Sequence, residues 1–181
     1  APGVRYSRNM VTSIGSYAFY NCTSLTTITG IASLEYIEEW FSTSDVFRNT
    51  PWYDNLPDGL LYLGKVLYKY KGTMPDNTAV TVKEGTKSIS NNAFWECSGL
   101  TSISIPASVD EVRYDAFGYC SNLASITVAA GNEKYDSRNN CNAIVETSTN
   151  TIIVGCKNTT FPSTVTAIGG YAFYDCTGLT S

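Results

Sequence analysis

The chain has 181 residues, 43% of them hydrophobic and 15% charged, with a formal net charge of −4 and no histidine. That length and apolar content suit one domain with an ample core, and a charge so near balance argues against polyanion binding as the main task. The missing histidine removes the commonest general base, the histidine-assisted nucleophiles and most zinc chemistry, and six cysteines without a Cys-x-x-Cys pair give no metal or redox motif.

The first element in the chain is SIGSYAFYNCTSLTTI, residues 13–28, an aliphatic residue followed by Ala-Phe, Cys, Leu and Ile at fixed offsets. A second copy opens at Ile37, 23 residues after Ile14, and then loses the pattern, with Phe41, Asp45 and Arg48 where Ala, Cys and Leu belong. Next comes DGLLYLGKVLYKYKG, residues 58–72, in which Gly64-Lys65 separates two strand-like runs. Glycine at the first central position suits a two-residue hairpin turn of type II′. Lys65, Lys69 and Lys71 alternate here with Tyr62, Tyr68 and Tyr70. In an acidic domain such a small basic patch reads as a charged edge that discourages sheet association, and no nucleic-acid partner is expected.

The third copy carries Ile89, Ala93, Phe94, Cys97, Leu100 and Ile103; the fourth carries Val112, Ala116, Phe117, Cys120, Leu123 and Ile126, each shifted by 23. In LTSISIP the alternation sends Ile103 and Ile105 inward and Ser102 and Ser104 outward, and Pro106 ends the strand for want of an N–H. Ala116-Phe117 and Cys120 have the spacing of one inward-facing helical turn. A repeat is therefore strand, corner, short strand and helical turn, and neighbours must stack to bury its faces. The intervals Ile37–Ile89 and Val112–Ile168 are 52 and 56 residues, one period plus an insertion of 29 and 33. The second insertion holds CNAIVETSTNTIIVGC, residues 141–156, a hairpin with its loop at Thr147–Asn150. Both hairpins are expected to project from the stack or pack along it, leaning on the core through Leu61, Leu63, Ile144 and Ile152.

The pattern I-G-x-x-A-F-x-x-C-x-x-L-x-x-I-x-I-P resembles the BspA-like leucine-rich-repeat family of bacterial surface proteins, over residues 10–47, 80–128 and 159–181. The predicted fold is an α+β repeat: a leucine-rich-repeat solenoid of ~23-residue units, each with short strands and one helical turn, with two inserted β-hairpins near 48–79 and 129–158. Residues 1–181 read as one such domain. The fifth copy stops at Ser181, so the chain reads as a fragment, and Phe173, Cys176 and Leu179 are expected to form an uncovered rung through which it self-associates.

Cys22, Cys97, Cys120 and Cys176 share one repeat position and read as a ladder of small buried groups. Cys141 and Cys156 flank the second hairpin, either bridged across it or as two free thiols. The candidate binding residues are the aromatics beside the buried phenylalanines (Trp95, Tyr17, Tyr20, Tyr119, Tyr171 and Tyr174) and the outward hydroxyls Ser102, Ser104, Ser125 and Thr127, with Thr27 and Thr29. Tyrosine and tryptophan supply large contact area with a polar tip. The same aromatics also suit the seams between repeats.

The resemblance implies a surface-exposed protein-binding or adhesion module, located extracellularly or on the cell surface, with an extracellular or host surface protein as partner and a glycan as a second candidate. The other reading is a structural spacer with no ligand of its own. No motif supports an enzyme, no cofactor is expected, and no apolar run of about 18 residues offers a membrane span.

Overall fold

The computed structural model describes residues 11–38, 46–113 and 115–179. In chain order its elements are β1 (Ser13–Ile14), β2 (Tyr36–Ile37), the single turn α1 (Pro51–Asp54), β3 (Gly59–Leu63), β4 (Val66–Lys71), β5 (Thr78–Thr81), β6 (Ser88–Ile89) and β7 (Leu100–Ile105). They continue as β8 (Glu111–Val112), β9 (Ser125–Val128), β10 (Tyr135–Asp136), β11 (Ile144–Glu146), β12 (Thr151–Val154) and β13 (Ala167–Ile168).

Strands from successive copies pair in parallel at the sequence period: Ile14 opposite Ile37, Ile89 opposite Val112, Ile103 opposite Ile126. The period sets the register because only a whole-repeat shift brings like side chains over like. Ile103, Ile105 and Ile126 are buried while Ser104 and Thr127 are exposed, as the alternation predicts; Ser102 and Ser125 are half-buried. Phe94 and Phe117 stack with ring centroids 5.2 Å apart and planes 9° apart inside the main apolar cluster.

Three features differ from the sequence expectation. The predicted helical turn is a chain of i→i+3 turns instead of α-helix: Cys97 N–H donates to the Phe94 carbonyl and Cys120 N–H to the Phe117 carbonyl. The cause is a left-handed residue two places after each phenylalanine, namely Asn21 (φ 58°), Asn49 (61°), Glu96 (59°), Tyr119 (59°) and Asp175 (56°). A right-handed helix does not run through such a residue.

The second copy, which the sequence shows as broken, is complete in space. Phe47 stacks on Phe19 at 5.5 Å and 10°, and Phe19 N–H donates to the Val46 carbonyl as Phe94 N–H does to Ala116. Val46-Phe47 thus stand where Ala-Phe belong, five residues later than the period predicts. Thr50 takes the cysteine position, fully buried, and its hydroxyl accepts the Tyr53 N–H to cap α1. Because α1 occupies the following segment, no strand forms beside Thr27 and Thr29, which are exposed without strand structure.

Both hairpins form with the predicted loops, Leu63 pairing Val66 around Gly64-Lys65 and Glu146 pairing Thr151 around 147–150. Their second strands, however, are rungs of the stack itself. β4 pairs in parallel with β6, placing Leu67 opposite Ile89, and β12 pairs with β13, placing Ile152 opposite Ile168. Leu67 and Ile152 are both fully buried in the place of the repeat isoleucine. Inserting a hairpin strand as a rung satisfies its ladder groups on two sides, which an isolated hairpin in water cannot do.

Alternation on β4 also fails, because Val66 and Tyr68 on either side of the inward Leu67 are buried too, in a second apolar cluster. Tyr68 is fully buried, its ring 5.5 Å from Phe47 and 6.2 Å from Tyr53. The lysines of this hairpin are engaged: Lys65 pairs with Glu35 at 2.6 Å, Lys69 lies over the Tyr68 ring, and Lys71 donates to the carbonyls of Asp54 and Leu56.

Candidate functional site

The period predicts a row of aromatics; the structure gathers four of the six into one strip. Trp95 lies 4.8 Å from Tyr119, Tyr119 lies 5.1 Å from Tyr174, and Tyr174 lies 5.4 Å from Tyr171, measured between ring centroids. Each pair is near perpendicular, at 72°, 76° and 77°, the edge-to-face arrangement that ring quadrupoles favour. Tyr171 is 59% and Tyr174 42% exposed, while Trp95 and Tyr119 are half-buried. Tyr17 and Tyr20 form a separate exposed pair at the first copy, 5.5 Å apart.

Local sequence explains why these rings meet. Trp95 follows Phe94, and the matching position after Phe117 is Gly118, whose absent side chain leaves room for the indole. A Cβ on Gly118 would stand 2.6 Å from Trp95 Cε3 and Cζ3. Trp95 therefore rests on the seam between repeats as well as facing outward. Tyr119 comes from the next copy and Tyr174 from the fifth, and their hydroxyls share a hydrogen bond of 2.9 Å. That bond pushes the Tyr119 phenol up from its ordinary pKa, and the charges of Asp175 and Glu96 act in the same direction. Glu96 Oε1 accepts the Trp95 indole N–H at 3.2 Å.

The second predicted surface also forms. Ser102 lies opposite Ser125 and Ser104 opposite Thr127 on the outer face of the β5–β7–β9 sheet, and Thr127 Oγ1 donates to Ser104 Oγ at 3.1 Å. Hydroxyls that bond one another are partly satisfied already. The depression of about 450 Å³ bordered by Thr81, Glu84, Ser104, Pro106 and Thr127 is shallow and open.

One cleft escaped the sequence reading. It has a volume of about 440 Å³, lies between Lys87, Asp110, Asn132, Lys134 and Ser148, and has Lys87 paired to Asp110 at 3.1 Å. Its walls come from two copies and the second insertion, and no local motif joins them. Asn132 holds it together, donating to the carbonyls of Pro106 and Val109 and accepting the N–H of Tyr135.

All six cysteines are free thiols, so Cys141 and Cys156 stand unbridged, both fully buried. Cys22, expected in the buried ladder, is exposed, and Cys176 is half-buried. Burial pushes Cys97 up to about 11 and Cys120 higher still, which keeps them as thiols rather than nucleophilic thiolates. A charged thiol reagent is expected to label Cys22 first in the native chain, the buried thiols reacting only after denaturation. Fast labelling at Cys97 or Cys120 would contradict the buried ladder. Among the described residues no group of three or more His, Cys, Asp or Glu side chains is placed to hold a metal ion, and no helix is long and apolar enough to cross a membrane.

The family model of the BspA-type leucine-rich-repeat region matches residues 6–50, 44–153 and 151–181, in six copies. The chain belongs to the BspA-type leucine-rich-repeat family. Such repeats are in general non-enzymatic scaffolds. A leucine-rich-repeat protein from Eubacterium ventriosum ATCC 27560 is similar in fold, with a TM-score of 0.50 and 22% identity over 92% of this chain and 37% of that one. A leucine-rich cell surface protein from Faecalibacterium prausnitzii A2-165 aligns at a TM-score of 0.42 and 23% identity, over 92% of this chain and 50% of that one. The chain thus spans half or less of the length of these two proteins. A comparison with curated proteins finds no match.

Proposed function

We propose that this BspA-type domain is a surface-exposed protein-binding module, acting in adhesion to extracellular or host-surface partners, and that the aromatic strip is its contact face. The observation that carries the reading is the strip itself: four rings drawn from three separate copies, assembled outside the core with Tyr171 and Tyr174 substantially exposed. Interface energy concentrates in a few aromatic or arginine anchors, and solenoids bind through extended surfaces rather than closed pockets.

The test is retention of the immobilised domain's partners from a panel of extracellular-matrix proteins, repeated with variants of the strip. Tyr171→Ser with Tyr174→Ser is expected to weaken binding by about tenfold or more, on the order of 1.4 kcal/mol, with little change in melting temperature because both rings are exposed. Trp95→Ala is expected to weaken binding too, but with some loss of stability, since its ring covers Gly118. Retention of no protein, or binding indifferent to the double variant, would leave the spacer reading in its place.

A further inference from the structure

We infer that the strip receives a cationic segment of its protein partner, one that lays arginine or lysine side chains across the exposed rings. This rests on the binding role proposed for the strip and specifies the chemistry of what binds there. The repeat position two residues after the phenylalanine carries Glu96 in the third copy, Tyr119 in the fourth and Asp175 in the fifth. All three share the same left-handed backbone, with φ of 59°, 59° and 56°, so the three side chains leave the stack from equivalent points. The result is a row of carboxylate, phenol and carboxylate running along the aromatic strip.

Two attractions coincide on that row. The near-perpendicular rings present alternating faces and edges, and the faces carry the negative end of the ring quadrupole, which draws a guanidinium or ammonium. The two carboxylates add formal charge of the same sign, and both act on the Tyr119 phenol. Glu96 is held in place by the Trp95 indole N–H. Among the described residues neither Glu96 nor Asp175 is in an ion pair, whereas Glu35, Asp110, Glu111 and Asp136 each are. The two acidic groups beside the strip are thus left with their charge available, in a chain whose net charge is already −4. Complementary potentials set partner choice and association rate, and the complement of this face is positive. A neutral glycan would stack on the rings without needing the carboxylates charged.

The experiment uses the full 181-residue chain and two synthetic peptides of repeated Arg-Gly-Ser and repeated citrulline-Gly-Ser, which match in shape and differ in charge. Calorimetric titration is expected to show the arginine peptide binding about tenfold tighter or more, with the advantage shrinking as salt is added. Glu96→Gln with Asp175→Asn should remove that advantage, because glutamine still accepts from Trp95 and asparagine tolerates the left-handed backbone. Glu84→Gln with Glu133→Gln, a control away from the strip, should leave it intact. Equal binding of the two peptides, no binding up to about 1 mM, or an advantage that survives the strip variant would overturn the inference. If Tyr171→Ser with Tyr174→Ser abolishes retention of a matrix protein, or of a neutral glycan, while Glu96→Gln with Asp175→Asn does not, the strip binds but its partner is not cationic. In that case the adhesion reading stands and this one falls.

Discussion

Phe94→Ala is expected to cost about 3–5 kcal/mol of stability, the range for emptying a well-packed aromatic site. The ring is fully buried and lies against Phe117 at 5.2 Å, with Ala93, Cys97 and Ile103 in the same cluster. Backbone links hold the walls apart: Phe94 N–H donates to the Ala116 carbonyl and Glu96 N–H to the Gly118 carbonyl. Copies pinned in that way cannot close over the gap, so the cavity term remains. In a stack where each repeat touches only its neighbours, a defect between the third and fourth copies also weakens the coupling of the two ends. Chemical denaturation is therefore expected to show a lower midpoint and, for this variant, a broader or split transition. A variant melting within a degree or two of the parent would mean the ring is not part of the stack.

Much of this architecture is legible in the residues because one device repeats. Phe94 and Phe117 sit 23 residues apart and stack; Ile103 and Ile126 do the same and pair. Fixed spacing converts directly into register when copies are superposed by whole turns. Reading by fixed offset fails where the chain slips. Val46-Phe47 lie five residues beyond the place the period assigns, so counting from Ile37 lands on Phe41 and Asp45 and reports a broken copy. The repeated carbonyl link from Phe19 to Val46 identifies the true equivalence, and a hydrogen bond is not visible in sequence. The hairpins illustrate a related limit. Turn chemistry at Gly64-Lys65 predicts that the two strands meet, but it says nothing of which other strand each will join, and β4 joins β6.

The candidate site was half legible for a similar reason. Each aromatic of the strip could be singled out by standing next to an inward phenylalanine, yet the offsets differ: Trp95 and Tyr174 follow by one, Tyr119 by two, and Tyr171 precedes by two. Which rings touch depends on small residues between them. Gly118 makes way for Trp95, and Gly155 makes way for Phe173, whose ring atoms a Cβ there would strike. Glu96 and Asp175 were missed although a signal existed, since the position two after phenylalanine carries Asn, Asn, Glu, Tyr and Asp in the five copies. After glycine, asparagine and aspartate are the residues most at ease with positive φ, and their recurrence there marks a backbone that fixes where side chains project.

Gly64→Ala is expected to destabilise the first hairpin by about 2–5 kcal/mol, from two separate costs. Gly64 has φ of 59°, a conformation that charges an ordinary residue about 1–2 kcal/mol. Its Cα also faces the segment before β2 so closely that an added Cβ would collide with the Ile31 carbonyl and come within 2.8 Å of the Leu34 carbonyl and 2.9 Å of Leu34 Cβ. Backbone cannot swing aside as a side chain can, and overpacking of this kind costs about 1–3 kcal/mol. The next residue suffers as well, because Lys65 N–H donates to the Leu34 carbonyl at 2.7 Å, the bond that ties the hairpin tip to the second copy. Gly15→Ala supplies the control: nothing lies within 4 Å of a Cβ there, so a change within about 0.5 kcal/mol is expected. Gly64→Asn separates the two costs, since asparagine tolerates the left-handed torsion but carries the same Cβ. If the collision dominates, Gly64→Asn stays close to Gly64→Ala in a denaturant titration; if torsion dominates, it recovers most of the parent's stability. Equal stability of Gly64→Ala and Gly15→Ala would mean the hairpin tip does not dock against residues 31–34, and with it would go the placement of β4 as a rung of the stack.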